Sequence, residues 1–408
     1  MTSALVVAER NGDLPPRLRE PDVDFDALRA YRLGRLRKVM AERDIALAVI
    51  NNPLSMRYAV DYWNYPLFLS RIPSTMVFVP VEGPIVMSGA YVEGNDMVAG
   101  AVPMFGLAPF DAGLDQTDES RRFADFVKSQ LVSLGFDARA RVGVDRVDPG
   151  VVHALMQAGV EACDIGGVVE YAKAIKSPDE IKLMRHAISV AQYGMDRMRE
   201  NLVPGTTERE LWSYLHQANI ANGGFWTEGN MLASGIRTNP WLQEASDKPI
   251  ADGELVAFDT DMVGPYCYFS DISRTWLVGD GKPTGRQLDL YSHAYEEVQS
   301  NMELARVGVG FREFSEKSFA RREEFKAQRY PCVAHGVGMS DEWPKISYPE
   351  DWANRGYDGV FEPGMVMCIE SYTGAVGDTE GVKLEEMVLI TETGCEIMSD
   401  RPIEEQLH

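Results

Sequence analysis

Three short apolar runs in the second half of this 408-residue chain carry carboxylates, and that feature limits the fold most sharply. They are Leu255-Val-Ala-Phe-Asp259, Met365-Val-Met-Cys-Ile-Glu370 and Val382-Lys-Leu-Glu385, the last continuing to Ile390. Runs of this length and composition read as buried strands. An ionised carboxylate inside a sheet is costly unless it is paired or bound to a cation, so a fold that buries these runs has to bring positive charge to them. In the first run Asp259 and Asp261 stand at i and i+2, which on a strand places both on one face. Asp271, in Tyr268-Phe-Ser-Asp-Ile-Ser-Arg-Thr-Trp276, returns on a neighbouring strand of a hairpin turning near Gly264-Pro265. His335 lies in Ala334-His-Gly-Val-Gly338, where glycines permit close backbone approach. Glu370 is expected at the end of its strand and Glu385 within its own.

Five carboxylates and one imidazole are enough to hold two divalent ions. Mixed oxygen and nitrogen ligation suits iron, manganese, cobalt or zinc. Taken singly, each acid would read as a solvated or salt-bridged side chain, and His335 as a satisfied core group. The order Asp, Asp, His, Glu, Glu, each beside a strand, is what marks a site.

Composition excludes other classes. A formal charge of −22 repels phosphate backbones and anionic lipid, which disfavours nucleic acid and membrane surfaces and leaves small molecules or proteins as partners. No run reaches the ~18 apolar residues a membrane span needs, and no basic region precedes an apolar stretch at the N-terminus; the expected location is cytoplasmic. Cys163, Cys267, Cys332, Cys368 and Cys395 form no CxxC pair and read as free thiols.

The length favours two domains. An arm at residues 1–23, with Pro15, Pro16 and Pro21, offers nothing to pack. A helical pattern runs from Phe25 through Met40, then an apolar strand over Ile45–Ile50. Strands at Ser74–Val79, Pro84–Met87 and Arg141–Asp145, with a helix over Asp118–Leu134, make residues 24–170 an α/β domain. Ser177, Pro178 and Glu180 then form a helix-start signature. Helices over Glu208–Asn222 and Gly285–Val307 punctuate a strand-rich, α+β second domain at 171–408.

The ligand order and its local sequences resemble the pita-bread metallopeptidase family, which includes methionine aminopeptidase, prolidase, aminopeptidase P and creatinase. The resemblance spans about Asp24 to Arg401. It is carried by Arg35-Leu-Arg-Lys-Val-Met-Ala-Glu-Arg43, Ile175-Lys-Ser-Pro-Asp-Glu-Ile181, Pro249-Ile-Ala-Asp-Gly-Glu-Leu255, Ser270-Asp-Ile-Ser-Arg-Thr275, His335-Gly-Val-Gly338, Glu362-Pro-Gly-Met365 and Gly381-Val-Lys-Leu-Glu385. It implies an α/β N-terminal creatinase-like domain followed by an α+β pita-bread catalytic domain. It also implies Asp259, Asp271, His335, Glu370 and Glu385 as ligands of two metal ions, iron first with zinc or manganese as alternatives, and Asp261 stands beside them as a sixth potential ligand.

Three departures separate the chain from the peptidases. Asp259-Thr-Asp261 supplies an additional ligand aspartate. Leu242 and Gln243 stand where the peptidases carry a histidine. Met339-Ser-Asp-Glu-Trp-Pro344 offers acids where a second substrate-facing histidine is expected. With the histidines of amide hydrolysis gone, the chain is similar to the dimethylsulfoniopropionate lyases built on this fold, often called DddP. That similarity implies β-elimination to dimethyl sulfide and acrylate; an Xaa-Pro-type metallopeptidase is the competing expectation, separable by testing an Xaa-Pro dipeptide. A non-catalytic binding module would have no reason to keep the ligand set, and creatinase-like amidinohydrolysis does not use it.

For the elimination, Asp341 is the expected base and Glu342 its alternative, each also readable as a solvated loop acid. A sulfonium cation suits aromatic faces. Tyr58, Tyr62 and Trp63, with Tyr65 and Phe68 in the same stretch, and Tyr330 before His335 are the candidate walls, although such clusters also pack cores. Creatinase-like relatives imply a homodimer in which the N-terminal domain closes the partner's pocket.

Overall fold

The computed structural model describes residues 18–89, 95–401, 404 and 407; of the arm expected at 1–23, positions 1–17 lie outside them. Two compact units divide between Lys173 and Ala174, and the described residues Leu18 to Val23 go with the second.

The first unit opens with helix α1 (Phe25–Glu42), whose N-terminus is capped by Asp24 accepting the Ala27 N–H at 3.0 Å. The chain then alternates through β1 (Leu47–Ile50), α2 (Pro53–Val60), β2 (Met76–Pro80), β3 (Val86–Ser88), β4 (Gly100–Val102), α3 (Thr117–Ser133), β5 (Arg141–Val144), α4 (Pro149–Gln157), β6 (Glu161–Asp164) and α5 (Gly166–Lys173). The strands form one sheet in the order β4-β3-β2-β1-β5-β6, with β1 antiparallel to β2 and parallel to β5. Every residue of β1 is buried, as its unbroken apolar run requires of a central strand. Phe78, Phe105, Phe123, Leu131 and Val142 fill the core between sheet and helices.

The second unit begins with α6 (Pro178–Glu200) and α7 (Glu208–Ala221), both started by capping boxes. Ser177 accepts the Glu180 N–H at 3.2 Å while the Glu180 carboxylate accepts the Ser177 N–H at 2.8 Å. Next come β7 (Leu232–Ser234), β8 (Leu255–Asp259), β9 (Met262–Val263), β10 (Phe269–Ser270) and β11 (Ser273–Leu277), then α8 (Gly285–Leu304). The last strands are β12 (Ala334–Val337), β13 (Asp341–Ile346), β14 (Val366–Thr373), β15 (Val382–Thr391) and β16 (Gly394–Ile397). β11-β8-β7 make one sheet and β13-β12-β14-β15-β16 another, with β9 and β10 a small hairpin. Helix α8 covers β14 and β15, burying Leu290, Tyr291, Val298 and Met302 against them. The two sheets are joined at Thr275, whose hydroxyl donates to the Lys383 carbonyl at 2.8 Å and accepts the Lys383 N–H at 3.0 Å.

Three local expectations are corrected. Helix α8 stops at Leu304 rather than near Val307, because Ala305 leaves helical geometry and Gly308 takes a positive φ of 82°. Asp259 and Asp261 do not share a strand: β8 ends at Asp259, and Asp261 adopts φ 39°, a left-handed turn that re-aims its side chain. The turn is held by the Thr260 hydroxyl, which donates to the Ser270 carbonyl at 2.8 Å and accepts the Ile272 N–H at 2.9 Å. Glu370 is not at a strand end but inside β14.

Candidate metal centre and active site

The edges where the two sheets meet bring the acids together. Asp259 closes β8, directly opposite Ser273 on β11, and Asp271 lies in the link just before β11. From the larger sheet come His335 on β12, Glu370 on β14 and Glu385 on β15, with Glu370 and Glu385 as direct cross-strand partners. His335 Nε2 is 3.1 Å from Glu370 Oε1, 3.6 Å from Asp271 Oδ2 and 3.8 Å from Glu385 Oε1. Ligand-capable atoms of Asp259, Asp261 and Asp271 lie within 4.8 Å of one another, as do those of Asp271, His335, Cys368 and Glu385. All six side chains expected from the sequence therefore fall in one cluster, although Asp261 reaches it by a turn and Glu370 from the middle of a strand.

Burial at this density distorts the acid–base balance. Burial and the adjacent carboxylates of Glu385, Asp259 and Asp261 push Asp271 well above the carboxylate range. Glu385 rises likewise through burial beside Asp259 and Glu370, and Asp261 through burial beside Asp259. Asp259 goes the other way, because the Lys383 ammonium and hydrogen bonding outweigh its burial. Burial disfavours a charged His335, but Asp341, Glu370 and Glu385 outweigh it and push the imidazole up to about 10. Bound divalent cations would invert these tendencies, favouring ionised carboxylates and a neutral imidazole.

The donor set fits such ions. Asp259 Oδ1, Asp271 Oδ1 and Glu385 Oε1 are buried with no hydrogen-bond partner among the described residues, an expensive arrangement for acceptors that nothing else compensates. Oxygen and imidazole ligands at this spacing match borderline first-row metals.

Two residues in the cluster were not singled out from the sequence. Lys383, two residues before Glu385 on β15 and so on the same face, buries its ammonium among Asp259, Glu370 and Glu385. That i, i+2 relation was visible in the run Val382-Lys-Leu-Glu385. Cys368, the direct partner of His335 across β12 and β14, sets its thiol 3.7 Å from Asp271 Oδ2. All five cysteines are free.

Asp341 starts β13, and its Oδ1 is 3.6 Å from His335 Nδ1. Its side chain is 59% exposed. Glu342 is corrected as the alternative base: its carboxylate is buried, paired with Lys176 Nζ at 3.0 Å, and accepts the Met339 N–H at 2.8 Å. Successive strand residues point to opposite faces, which sends one acid to the cluster and the other into an ion pair.

Tyr330 lies beside the cluster, its ring 4.5 Å from Lys383 Nζ. Tyr58 is corrected: only 2% exposed, it donates its hydroxyl to the Ala172 carbonyl at 2.9 Å and packs under Arg32 within the first unit. Tyr62 and Trp63 line a cavity of about 480 Å³ in that unit with Arg29 and Asp61.

Residues 182–392, which carry every one of these acids, match metallopeptidase family M24. The dimethylsulfoniopropionate lyase DddP of Roseovarius nubinhibens is 37% identical over 94% of this chain and 88% of its own length. The chain belongs to family M24, within its DddP group. A second DddP, from Roseobacter denitrificans, is 36% identical over the same shares. Among solved structures, an Xaa-Pro dipeptidase from Bacillus anthracis superposes with a TM-score of 0.73 at 23% identity, covering 91% of this chain and 98% of that one. This M24 chain thus has the pita-bread fold of the family's peptidases. Among its described residues no helix is long and apolar enough to cross a membrane.

Proposed function

We propose that this chain is a metal-dependent carbon–sulfur lyase that cleaves dimethylsulfoniopropionate into dimethyl sulfide and acrylate. The observation that carries the reading is the pairing of a buried carboxylate cluster with one exposed acid, Asp341, at its rim beside His335, in a chain aligned over nearly its whole length with two DddP lyases.

Asp259, Asp261, Asp271, His335, Glu370 and Glu385 would hold two divalent ions, iron in this reading. Bound ions supply Lewis acidity toward the substrate carboxylate, where negative charge develops during elimination. Asp341 takes the proton from the carbon next to that carboxylate. The released electron pair forms the C=C bond of acrylate as the β carbon–sulfur bond breaks, and sulfur leaves with its bonding pair as neutral dimethyl sulfide. No water is consumed. Tyr330 provides an aromatic face for the sulfonium group, and burial of its ring beside Glu370 and Asp259 holds the phenol well above its usual range, so it stays neutral.

The same reading includes a cytoplasmic homodimer, with Tyr62 and Trp63 contributing to substrate enclosure. Exposed Tyr65, Leu67 and Phe110 support the dimer, because such apolar side chains favour association. Headspace chromatography of pure protein mixed with dimethylsulfoniopropionate, with metal analysis of the same sample, tests the function. Dimethyl sulfide and acrylate in equal amounts are expected. Metallated protein that releases neither would refute it.

A further inference from the structure

Lys383 is fully buried on β15, and its Nζ lies 2.7 Å from Glu370 Oε2, 3.0 Å from Asp259 Oδ2 and 3.3 Å from Glu385 Oε2. It also donates to Ser273 Oγ at 2.6 Å, and the Tyr330 ring closes over it. Ser273 in turn donates to Glu385 Oε2 at 2.8 Å. Each of the three carboxylates thus gives one oxygen to the ammonium and keeps the other elsewhere. Asp259 Oδ1 and Glu385 Oε1 are unpartnered among the described residues, and Glu370 Oε1 faces His335. A single unit charge cannot neutralise the whole cluster, but it offsets the repulsion among the three acids that would otherwise be closest to unbalanced.

We propose that Lys383 is a built-in counter-ion, which stabilises the metal-free site by standing in for part of the metal's charge and lowers metal affinity in doing so. The inference rests on the metal-site reading above. Removing the ammonium leaves three buried carboxylates without their shared partner when no metal is present. With metal bound, the ions neutralise them and the nearby positive charge no longer opposes binding. Lys383→Met is therefore expected to lower the melting temperature of the metal-free state far more than that of the loaded state. By linkage, it is also expected to bind metal more tightly.

The test uses the full chain as wild type, Lys383→Met and Lys383→Arg. Each is stripped with a chelator, melted by scanning calorimetry before and after addition of Mn²⁺, and titrated with Mn²⁺ by isothermal calorimetry. The proposal expects a selective loss of metal-free stability in Lys383→Met, a Mn²⁺ dissociation constant lower by roughly ten-fold or more, and near-wild-type behaviour in Lys383→Arg. Equal destabilisation of both states, no loss of metal-free stability, or weaker Mn²⁺ binding in Lys383→Met would each overturn it. If wild type binds no Mn²⁺ and gains no stability from it, the metal reading fails. The counter-ion role is then decided by the stripped proteins alone, through a drop in Lys383→Met and its rescue in Lys383→Arg.

Discussion

Glu370 and Glu385 face one another directly across β14 and β15, both fully buried. Like charges in that position destabilise a sheet, so the pair marks where a cation belongs. Glu385→Gln keeps the shape and removes the charge. It is expected to weaken metal binding by at least about 100-fold, measured as metal retained after gel filtration, and dimethyl sulfide release should fall with it.

Asp341 is close to His335 yet outside the hydrogen-bonded interior of the cluster. Asp341→Asn is expected to reduce turnover by about 10²–10⁴-fold, the usual weight of a general base, while metal content stays at the wild-type level. Wild-type turnover in this variant would remove Asp341 from the mechanism.

Glu342 tests the opposite assignment. Its ion pair with Lys176 has side chains 3% and 1% exposed, so Lys176→Met strands a carboxylate in the interior. The expected cost is about 3–5 kcal/mol of stability, read from urea unfolding. Activity per folded molecule is expected to survive, because both side chains are engaged in the ion pair.

His293 carries a pH dependence unrelated to the metal. It packs edge-on against Phe319 and Phe325, its Nε2 accepts the Arg322 N–H at 3.2 Å, and its Nδ1 faces the Thr373 hydroxyl at 3.3 Å. Burial first, then Arg321 and Arg322, push it down to about 4, against a smaller opposing effect of Asp289. Above the ordinary value of 6.5 both folded and unfolded chains hold it neutral, and its contribution to stability is complete. Between pH 6.5 and 4 only the unfolded chain takes up the proton, so stability falls as pH falls through that window. Melting temperatures of wild type should drop across it, and His293→Gln should flatten that part of the profile.

Much of the architecture was readable because local chemistry specifies it. The capping residue Ser177 works through a neighbour three positions away. The apolar runs of β1, β8, β14 and β15 could only be interior strands. What misled was strand continuity: Asp259-Thr-Asp261 has the alternation of one strand, yet Thr260 bonds to the returning chain and turns Asp261 out of it.

The aromatic stretch shows the same limit from another side. Tyr58, Tyr62, Trp63 and Tyr65 are chemically alike in a list of residues, but the end of helix α2 at the left-handed Asp61 separates their fates: Tyr58 is sealed inside, whereas Tyr65 is 69% exposed. Composition supplies the faces and packing decides which remain available.

The sequence by itself determined that acids would be buried on strands and that cations would have to join them, because no sheet interior tolerates unpaired carboxylates. Only the tertiary structure decided which charges meet. Lys383 joins the cluster and Lys176 goes to Glu342; Asp341 turns toward His335 and Glu342 away from it. Those outcomes depend on register and on distances of a few ångströms between strands far apart in the chain. Coulomb attraction and desolvation act at that range, and neither is written in the order of residues.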